Sequence, residues 1–248
     1  MNSTVAVVTG GLGGLGREIC LHLAQAGARV IAADLAAEPG RIEAFKRALG
    51  DAAQAITIET VDIADFDSCG ALIERVHDSH GAIDILVNNA GITRDSTLRK
   101  MRTEQWHEVI NVNLSGTFNL CRQVIDGMIS RGFGRIVNIS SVNGQTGQFG
   151  QTNYCAAKAG LHGFTMALAR EVAAKGVTVN SVSPGYCRTD LVLTIPEPLR
   201  REIEARIPVG RLGEPSDIAR VVAFLAAPDA GFITGANIPV NGGLFMDF

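Results

Sequence analysis

Two side chains of this sequence are spaced for proton chemistry. Tyr154 and Lys158 stand at i and i+4 in the run 153–160, and the residues that follow, Leu161, Phe164, Ala167 and Leu168, continue a helical period. A helix places the phenol and the ammonium on one face. A nearby ammonium favours phenolate, so the spacing predicts a tyrosine pKa brought down from its free value of about 10 and an acid or base active near neutral pH. The bland reading is a surface pair, because this spacing arises often by chance. Ser140 and Ser141, at the end of a β-branched run upstream, are the hydroxyls that could join the pair.

A second stretch is suited to phosphates. Thr9-Gly10-Gly11-Leu12-Gly13-Gly14-Leu15-Gly16 lies between an apolar run at 5–8 and a helical segment at 17–21. Glycines at 10, 14 and 16 permit a tight turn, close backbone approach to a pyrophosphate and close helix–strand packing. The helix N-terminus then offers free N–H groups and a positive dipole. Its place between a first strand and a first helix favours a dinucleotide site over a bare turn. Asp34, closing the second β-branched run, can accept from both adenosine ribose hydroxyls and repels a 2′-phosphate, which favours NADH/NAD over NADPH/NADP. Capping of the next turn is the alternative role. Arg17 and Arg41 are the nearby cations able to hold a 2′-phosphate.

These groups need a scaffold, and the chain supplies a regular one. Short β-branched runs at 5–8, 29–33, 56–58, 83–87, 135–139, 177–182 and 238–240 alternate with helical stretches. Near-continuous apolar strands separated by helices indicate a parallel sheet covered on both faces. With right-handed crossovers this is an α/β Rossmann fold: one domain over 1–248, a doubly wound seven-stranded parallel sheet with helices on both faces. No linker, repeat or low-complexity tract interrupts it. The irregular insertion at about 190–213, with Pro196, Pro198 and Pro208 around Arg200, Arg201, Glu202 and Glu204, follows the sixth run at the ligand-binding edge. It reads as a substrate lid or as a plain surface helix.

Composition excludes several classes. Apolar residues make up 46% and charged residues 19%, enough for a large core. The formal charge of −3 gives no electrostatic case for nucleic acid or an anionic membrane. Five separated cysteines (Cys20, Cys69, Cys121, Cys155, Cys187) form no C-x-x-C and suit a reducing compartment. With no basic, apolar signal region after Met1-Asn2-Ser3-Thr4 and no run of about 18 apolar residues, a cytoplasmic protein is expected. His22, His77, His80, His107 and His162 lack ligand spacing, so no metal is expected and surface or packing roles are assigned. Cys155 is read as a small buried apolar residue and Trp106 as packing. With no signal peptide expected, the sequons at Asn113 and Asn138 are read as chance matches.

The full set of motifs resembles the short-chain dehydrogenase/reductase family over essentially the whole chain. The residues that carry the likeness are Thr9-Gly10-x3-Gly14-x-Gly16, Asn88-Asn89-Ala90-Gly91, Asn113, Ser141, Tyr154, Lys158 and Pro184-Gly185. The resemblance implies a catalytic tetrad. Tyr154 gives a proton to a substrate carbonyl, Ser141 hydrogen-bonds that oxygen, Lys158 holds the nicotinamide ribose and tunes Tyr154, and Asn113 anchors a relay water. Ser140 competes with Ser141, which stands at the family's spacing from the tyrosine. Also implied are cofactor contacts by Gly10, Leu12, Gly13, Gly14, Leu15, Gly16, Asp34 and Leu35, by Asp62 and Ile63 beside the adenine, by Asn89, Ala90 and Gly91, and by Pro184, Gly185 and Thr189 at the nicotinamide end. Within the family, the stretches 88–95, 123–128, 140–145 and 147–154 resemble 3-oxoacyl thioester reductases that act on acetoacetyl-CoA and make (R)-3-hydroxybutyryl-CoA for polyhydroxybutyrate. That likeness implies an acyl pocket of Asp95, Ser141, Gln148, Phe149, Gln151, Tyr154 and Tyr186, and a homotetramer. Familiar members of that subfamily use NADPH, a departure from the Asp34 reading. A 3-oxoacyl-[acyl-carrier-protein] reductase uses the same tetrad, and basic residues such as Arg94, Arg99, Lys100, Arg200 and Arg201 could meet either carrier. A protein that senses NAD without turnover is the alternative of a different class.

Overall fold

The computed structural model describes residues 1, 4–35 and 38–246; Asn2 and Ser3 of the N-terminal stretch lie outside the described residues. Seven strands, β1 (Val5–Thr9), β2 (Arg29–Asp34), β3 (Ile56–Thr60), β4 (Ile85–Asn88), β5 (Gly134–Ile139), β6 (Val177–Pro184) and β7 (Asn237–Val240), form one parallel sheet in the order β3-β2-β1-β4-β5-β6-β7. The order reverses between β1 and β4. Connections leaving these two strands pass to opposite faces, and such a switch point is where open α/β sheets bind ligands.

The connections are α1 (Gly14–Gln25), α2 (Pro39–Leu49), α3 (Phe66–His80), α4 (Thr103–Ile110), α5 (Gly116–Arg131), α6 (Asn143–Thr146), α7 (Thr152–Val172), α8 (Asp190–Leu193), α9 (Glu197–Ala205) and α10 (Pro215–Ala226). Side chains along β1 divide by parity: Ala6 and Val8 join one core with Ile19 and Leu23 of α1 and Ile218 and Val222 of α10. Val5 and Val7 join the other, with Leu72 of α3, Leu120 of α5 and Val172 of α7. Both faces are therefore dry, which is why the strands read as unbroken apolar runs. Each fully buried leucine or isoleucine here contributes about 1.5–3 kcal/mol over an exposed one.

Strand ends shift by one or two residues from the sequence reading, and two places differ in a way that bears on packing. The fourth strand runs from Ile85 rather than from residue 83; Asp84, just before it, still bonds Val5 O and Arg135 N–H through its backbone, while its carboxylate accepts from Val5 N–H at 3.0 Å and faces Arg131 at 3.5 Å. The insertion is also more than a surface helix. Ile203, Ile207 and Leu212 are buried in a third, small core against Tyr186, Val192, Ile195 and Leu244. Packing therefore connects the insertion to the chain that leaves β6.

Candidate active site

The glycine loop is fixed from β4. The Thr9 hydroxyl accepts from the Asn89 and Ala90 N–H groups at 3.0 and 3.1 Å, and Asn89 Nδ2 donates to Thr9 O at 2.8 Å and Gly10 O at 3.2 Å. A Cβ at Gly16 would lie 2.1 Å from Gly10 O, so only glycine lets α1 start this close to the loop. Leu12 N–H is spent on Asp34 Oδ2 at 3.2 Å and Gly13 N–H on Gly10 O at 3.1 Å. The first amides of α1, from Gly14, Leu15 and Gly16, have no intrahelical acceptor, and the helix has no side-chain cap. That combination fits a dinucleotide pyrophosphate. Thr189 reaches the same loop, 3.7 Å from where a Gly14 Cβ would stand.

Asp34 closes β2 beside the glycine loop and has a neighbour that matters. Besides Leu12 it accepts from its neighbour Leu35 N–H at 2.9 Å, and Arg41 Nη2 lies 3.5 Å from its Oδ2. Leu35 itself stands exposed. Asp62 Oδ1 is turned onto Ala64 N–H, and Ile63 is buried with its carbonyl held by Asn119.

Three elements bring the reactive groups together. Ser141 follows β5, Tyr154 and Lys158 lie on α7, and Asn113 lies in a π-helical turn (Asn111–Ser115) between α4 and α5. Asn153, fully buried, donates to Arg94 O and Gln105 O and accepts from Tyr154 N–H, which ties the first turn of α7 to two neighbouring segments. The Ser141 hydroxyl accepts from Asn143 N–H at 3.1 Å and lies near enough to the Tyr154 phenol to favour its ionised form. Lys158 Nζ donates to Ile139 O at 2.8 Å and lies 5.7 Å from the Tyr154 ring centre. Asn113 accepts from Ile92 N–H and donates to Ile92 O and Val109 O, so its side-chain hydrogens are fully used. A Cβ at Gly91 would meet Asn113 Oδ1 at 2.5 Å and Lys158 Nζ at 3.4 Å, a measure of how tightly the three converge.

The electrostatics correct the simple reading of the tyrosine–lysine pair. Burial pushes the Tyr154 phenol up to about 12, against a smaller lowering by the Ser141 hydroxyl. Burial also brings the Lys158 ammonium down to about 8. Desolvation outweighs any depression of the tyrosine by its lysine, because it opposes both charged forms and the ammonium points at a carbonyl of β5.

Beside these groups opens a cavity of about 300 Å³, lined by Thr93, Asp95, Ser141, Val142, Asn143, Gln151, Tyr154, Gly185, Tyr186, Val192, Thr194 and Ile195. Of the expected acyl-pocket residues, Asp95, Ser141, Gln151, Tyr154 and Tyr186 are there. Gln148 and Phe149 are not among the lining residues and stand exposed on the loop before Gln151. Asn143 escaped sequence reasoning: its Nδ2 donates to Gln151 Oε1, and Gln151 Nε2 donates to Asp95 Oδ2, both at 2.9 Å. Nothing in the sequence signals that relay. Val192, Thr194 and Ile195, all from the insertion, complete one wall.

The remaining candidates have ordinary partners. Arg94 is held by Glu108 and Arg201 by Glu197, which neutralises part of the basic rim. Cys155 is half-buried rather than buried. Trp106 is half-buried on α4. Among the described residues no cluster of His, Cys, Asp and Glu is arranged to hold a metal, and no helix is long and apolar enough to cross a membrane.

The sheet order, the glycine loop at its switch point and the serine–tyrosine–lysine cluster over it define a nicotinamide-dependent oxidoreductase of the doubly wound class. A family model described as Enoyl-(Acyl carrier protein) reductase matches residues 10–245. The chain is 53% identical to an acetoacetyl-CoA reductase of Allochromatium vinosum, with 98% of each chain covered. It is 52% identical to an acetoacetyl-CoA reductase of Cupriavidus necator over 99% of this chain and 100% of that one. A 3-oxoacyl-[acyl-carrier-protein] reductase of Haemophilus influenzae is 46% identical over 99% of this chain and 100% of its own. The chain belongs to the short-chain dehydrogenase/reductase family.

Proposed function

We propose that this enzyme reduces the C3 carbonyl of acetoacetyl-CoA to give (R)-3-hydroxybutyryl-CoA. The observation that carries the reading is full-length identity of 52–53% to several acetoacetyl-CoA reductases, against 43–46% to the acyl-carrier-protein reductases. The bound nicotinamide supplies the hydride. Tyr154, protonated at neutral pH, donates its phenolic hydrogen to the carbonyl oxygen. Ser141, beside that phenol, directs a hydrogen bond to the same oxygen. Lys158 contacts the nicotinamide ribose, and its charge steadies the phenolate left behind. Asn113 holds the 91–92 turn beside Lys158; a relay water would fall to its main-chain carbonyl, because its side-chain hydrogens are spent. Gly14, Leu15 and Gly16 take the pyrophosphate, Asp62 and Ile63 flank the adenine, and Pro184, Gly185 and Thr189 meet the nicotinamide end. Asp95 and Gln151, aligned through Asn143, hold the thioester-bearing acyl group with Tyr186, and 190–213 serves as the lid of a single domain.

Asp34 supports NADH as the preferred cofactor, since its carboxylate accepts from ribose hydroxyls and repels a 2′-phosphate. Arg41 beside it offsets part of that repulsion. Charge-assisted hydrogen bonds are worth roughly 1.5–3 kcal/mol, or about 10–150-fold in kcat/KM, and Arg41 brings the preference toward the lower end. The exposed Phe118 on α5, Met166 on α7, Phe224 on α10 and Phe232 support a homotetramer built on two apolar faces.

Steady-state reduction of acetoacetyl-CoA and of acetoacetyl-carrier-protein, each with NADH and NADPH, tests these readings. Highest kcat/KM is expected for acetoacetyl-CoA with NADH, and Asp34→Ala narrows the cofactor ratio through KM. Faster turnover of the carrier-protein thioester would transfer the enzyme to fatty-acid chemistry. A clear NADPH preference would reduce Asp34 to a turn cap.

A further inference from the structure

His162 lies one helical turn beyond Lys158, so Tyr154, Lys158 and His162 follow each other down one stripe of α7. Its Nε2 is 2.8 Å from Ser140 Oγ and 3.3 Å from Ser183 Oγ. The neighbours of those two hydroxyls assign the protons. Ser140 Oγ stands 2.8 Å from Lys158 O, and two oxygens that close need the hydroxyl hydrogen between them. Ser183 Oγ stands 2.7 Å from Asn237 Oδ1, where its hydrogen is spent in the same way. Both hydroxyls therefore offer the imidazole only lone pairs, and Nε2 must carry a hydrogen.

Ser140 connects that donor to the reactive groups. It is buried, with its N–H on Val182 O at 2.7 Å, and the next residue is Ser141 of the cavity. Its hydroxyl donates to the carbonyl of Lys158, while the ammonium of Lys158 donates back to Ile139 O at 2.8 Å. Two reciprocal bonds thus bridge the end of β5 and the middle of α7, the two segments that bring Ser141 to Tyr154. One of them depends on a hydroxyl that can rotate.

We infer that His162 is a positioning residue of this reductase: its Nε2–H holds the Ser140 hydroxyl on the Lys158 carbonyl and so keeps Ser141 in register with Tyr154 and Lys158. The inference rests on the reductase reading above. Burial and the charge of Lys158 hold the imidazole pKa below its ordinary value, so the ring at neutral pH is uncharged, with Nδ1 bare. The neutral Nε2–H form supplies the donor without adding a second positive charge beside Lys158.

Three substitutions separate the donor from the ring. Glutamine places an amide nitrogen where Nε2 stands, asparagine places one nearer Nδ1, and leucine offers no donor. Misplacing reacting groups by about 1 Å can cost about 100-fold, so kcat should fall by about 10- to 100-fold in His162→Leu and His162→Asn and return to within a few-fold in His162→Gln. KM for acetoacetyl-CoA and the Kd for NADH should stay within about twofold, since ground-state contacts are untouched. Wild-type kcat in His162→Leu, or a glutamine variant no better than leucine, would overturn the inference. So would a fall in Tm common to all three variants with kcat unchanged, which marks a purely structural ring. The ¹⁵N resonances of His162 in the wild-type protein give a readout independent of turnover: a protonated Nε2 and bare Nδ1 at pH 7 are expected, and the opposite tautomer or a charged ring refutes the donor. If wild-type enzyme does not reduce acetoacetyl-CoA, the substrate reading fails, and the ¹⁵N pattern still decides the role of the ring.

Discussion

A phenol and an ammonium buried together do not behave as the same pair does in water. Desolvation moves Tyr154 up to about 12 and Lys158 down to about 8, so the ligand-free site at neutral pH holds a protonated phenol next to a charged lysine. That state is armed for reduction, in which the tyrosine must give a proton. Positioned acids contribute about 10²–10⁴-fold, so Tyr154→Phe should lose that much kcat while NADH affinity, measured by fluorescence titration, stays unchanged. The pH dependence follows with its sign. The ammonium is present at pH 7 and is lost as pH rises through about 8, whereas the phenol keeps its proton throughout that range. Loss of the charge weakens the acid, so reductive kcat should be flat below about 7 and decline above about 8. In Lys158→Met a lower, pH-independent rate should replace that decline; a descending limb that persists in this variant would assign it to another group.

At the scale of elements, local chemistry sets where helices begin, and its effects can be separated from catalysis. Asp65 caps α3 by accepting from Asp67 N–H at 2.8 Å and Ser68 N–H at 3.1 Å. Asp65→Ala should cost about 1 kcal/mol. For a chain of this size that lowers Tm by about 2–4 °C in a thermal melt. Because α3 contributes nothing to the cavity, kcat should not change. The start of α1 is the contrary case: it has no side-chain cap, and its open amides are the ones a pyrophosphate fits. One helix end is satisfied by the protein and the other is left for a ligand.

At the scale of the molecule, two dry faces close the sheet, but a monomer still exposes Phe118 and Met166 at about half of their surface and Phe232 entirely. Apolar area of that kind favours association of copies. The homotetramer proposed above should appear as four copies by light scattering after gel filtration. Charging one face with Phe118→Glu and Met166→Glu should split it into dimers without unfolding. A wild-type monomer at micromolar concentration would refute the proposal.

The architecture was legible in the sequence because both faces of a parallel sheet are dry: seven apolar runs had to be strands, and the helices between them had to cover them. The glycine loop, Asp34 and the tyrosine–lysine spacing were legible for the same reason, being local constraints on backbone and helix face. Other features were decided by residues distant in sequence. Arg41 folds to within 3.5 Å of Asp34, and Asn143 aligns Gln151 on Asp95. Phe149 stays out of the cavity while Ile195 of the insertion enters its wall. The two pKa values also belong here, because the cost of desolvation depends on what the rest of the chain packs around a group. His162 shows the limit most clearly. In the sequence it is one of five histidines given a surface or packing role, and its proton is assigned only once Ser140 after β5, Ser183 of β6, Asn237 of β7 and Lys158 of α7 converge.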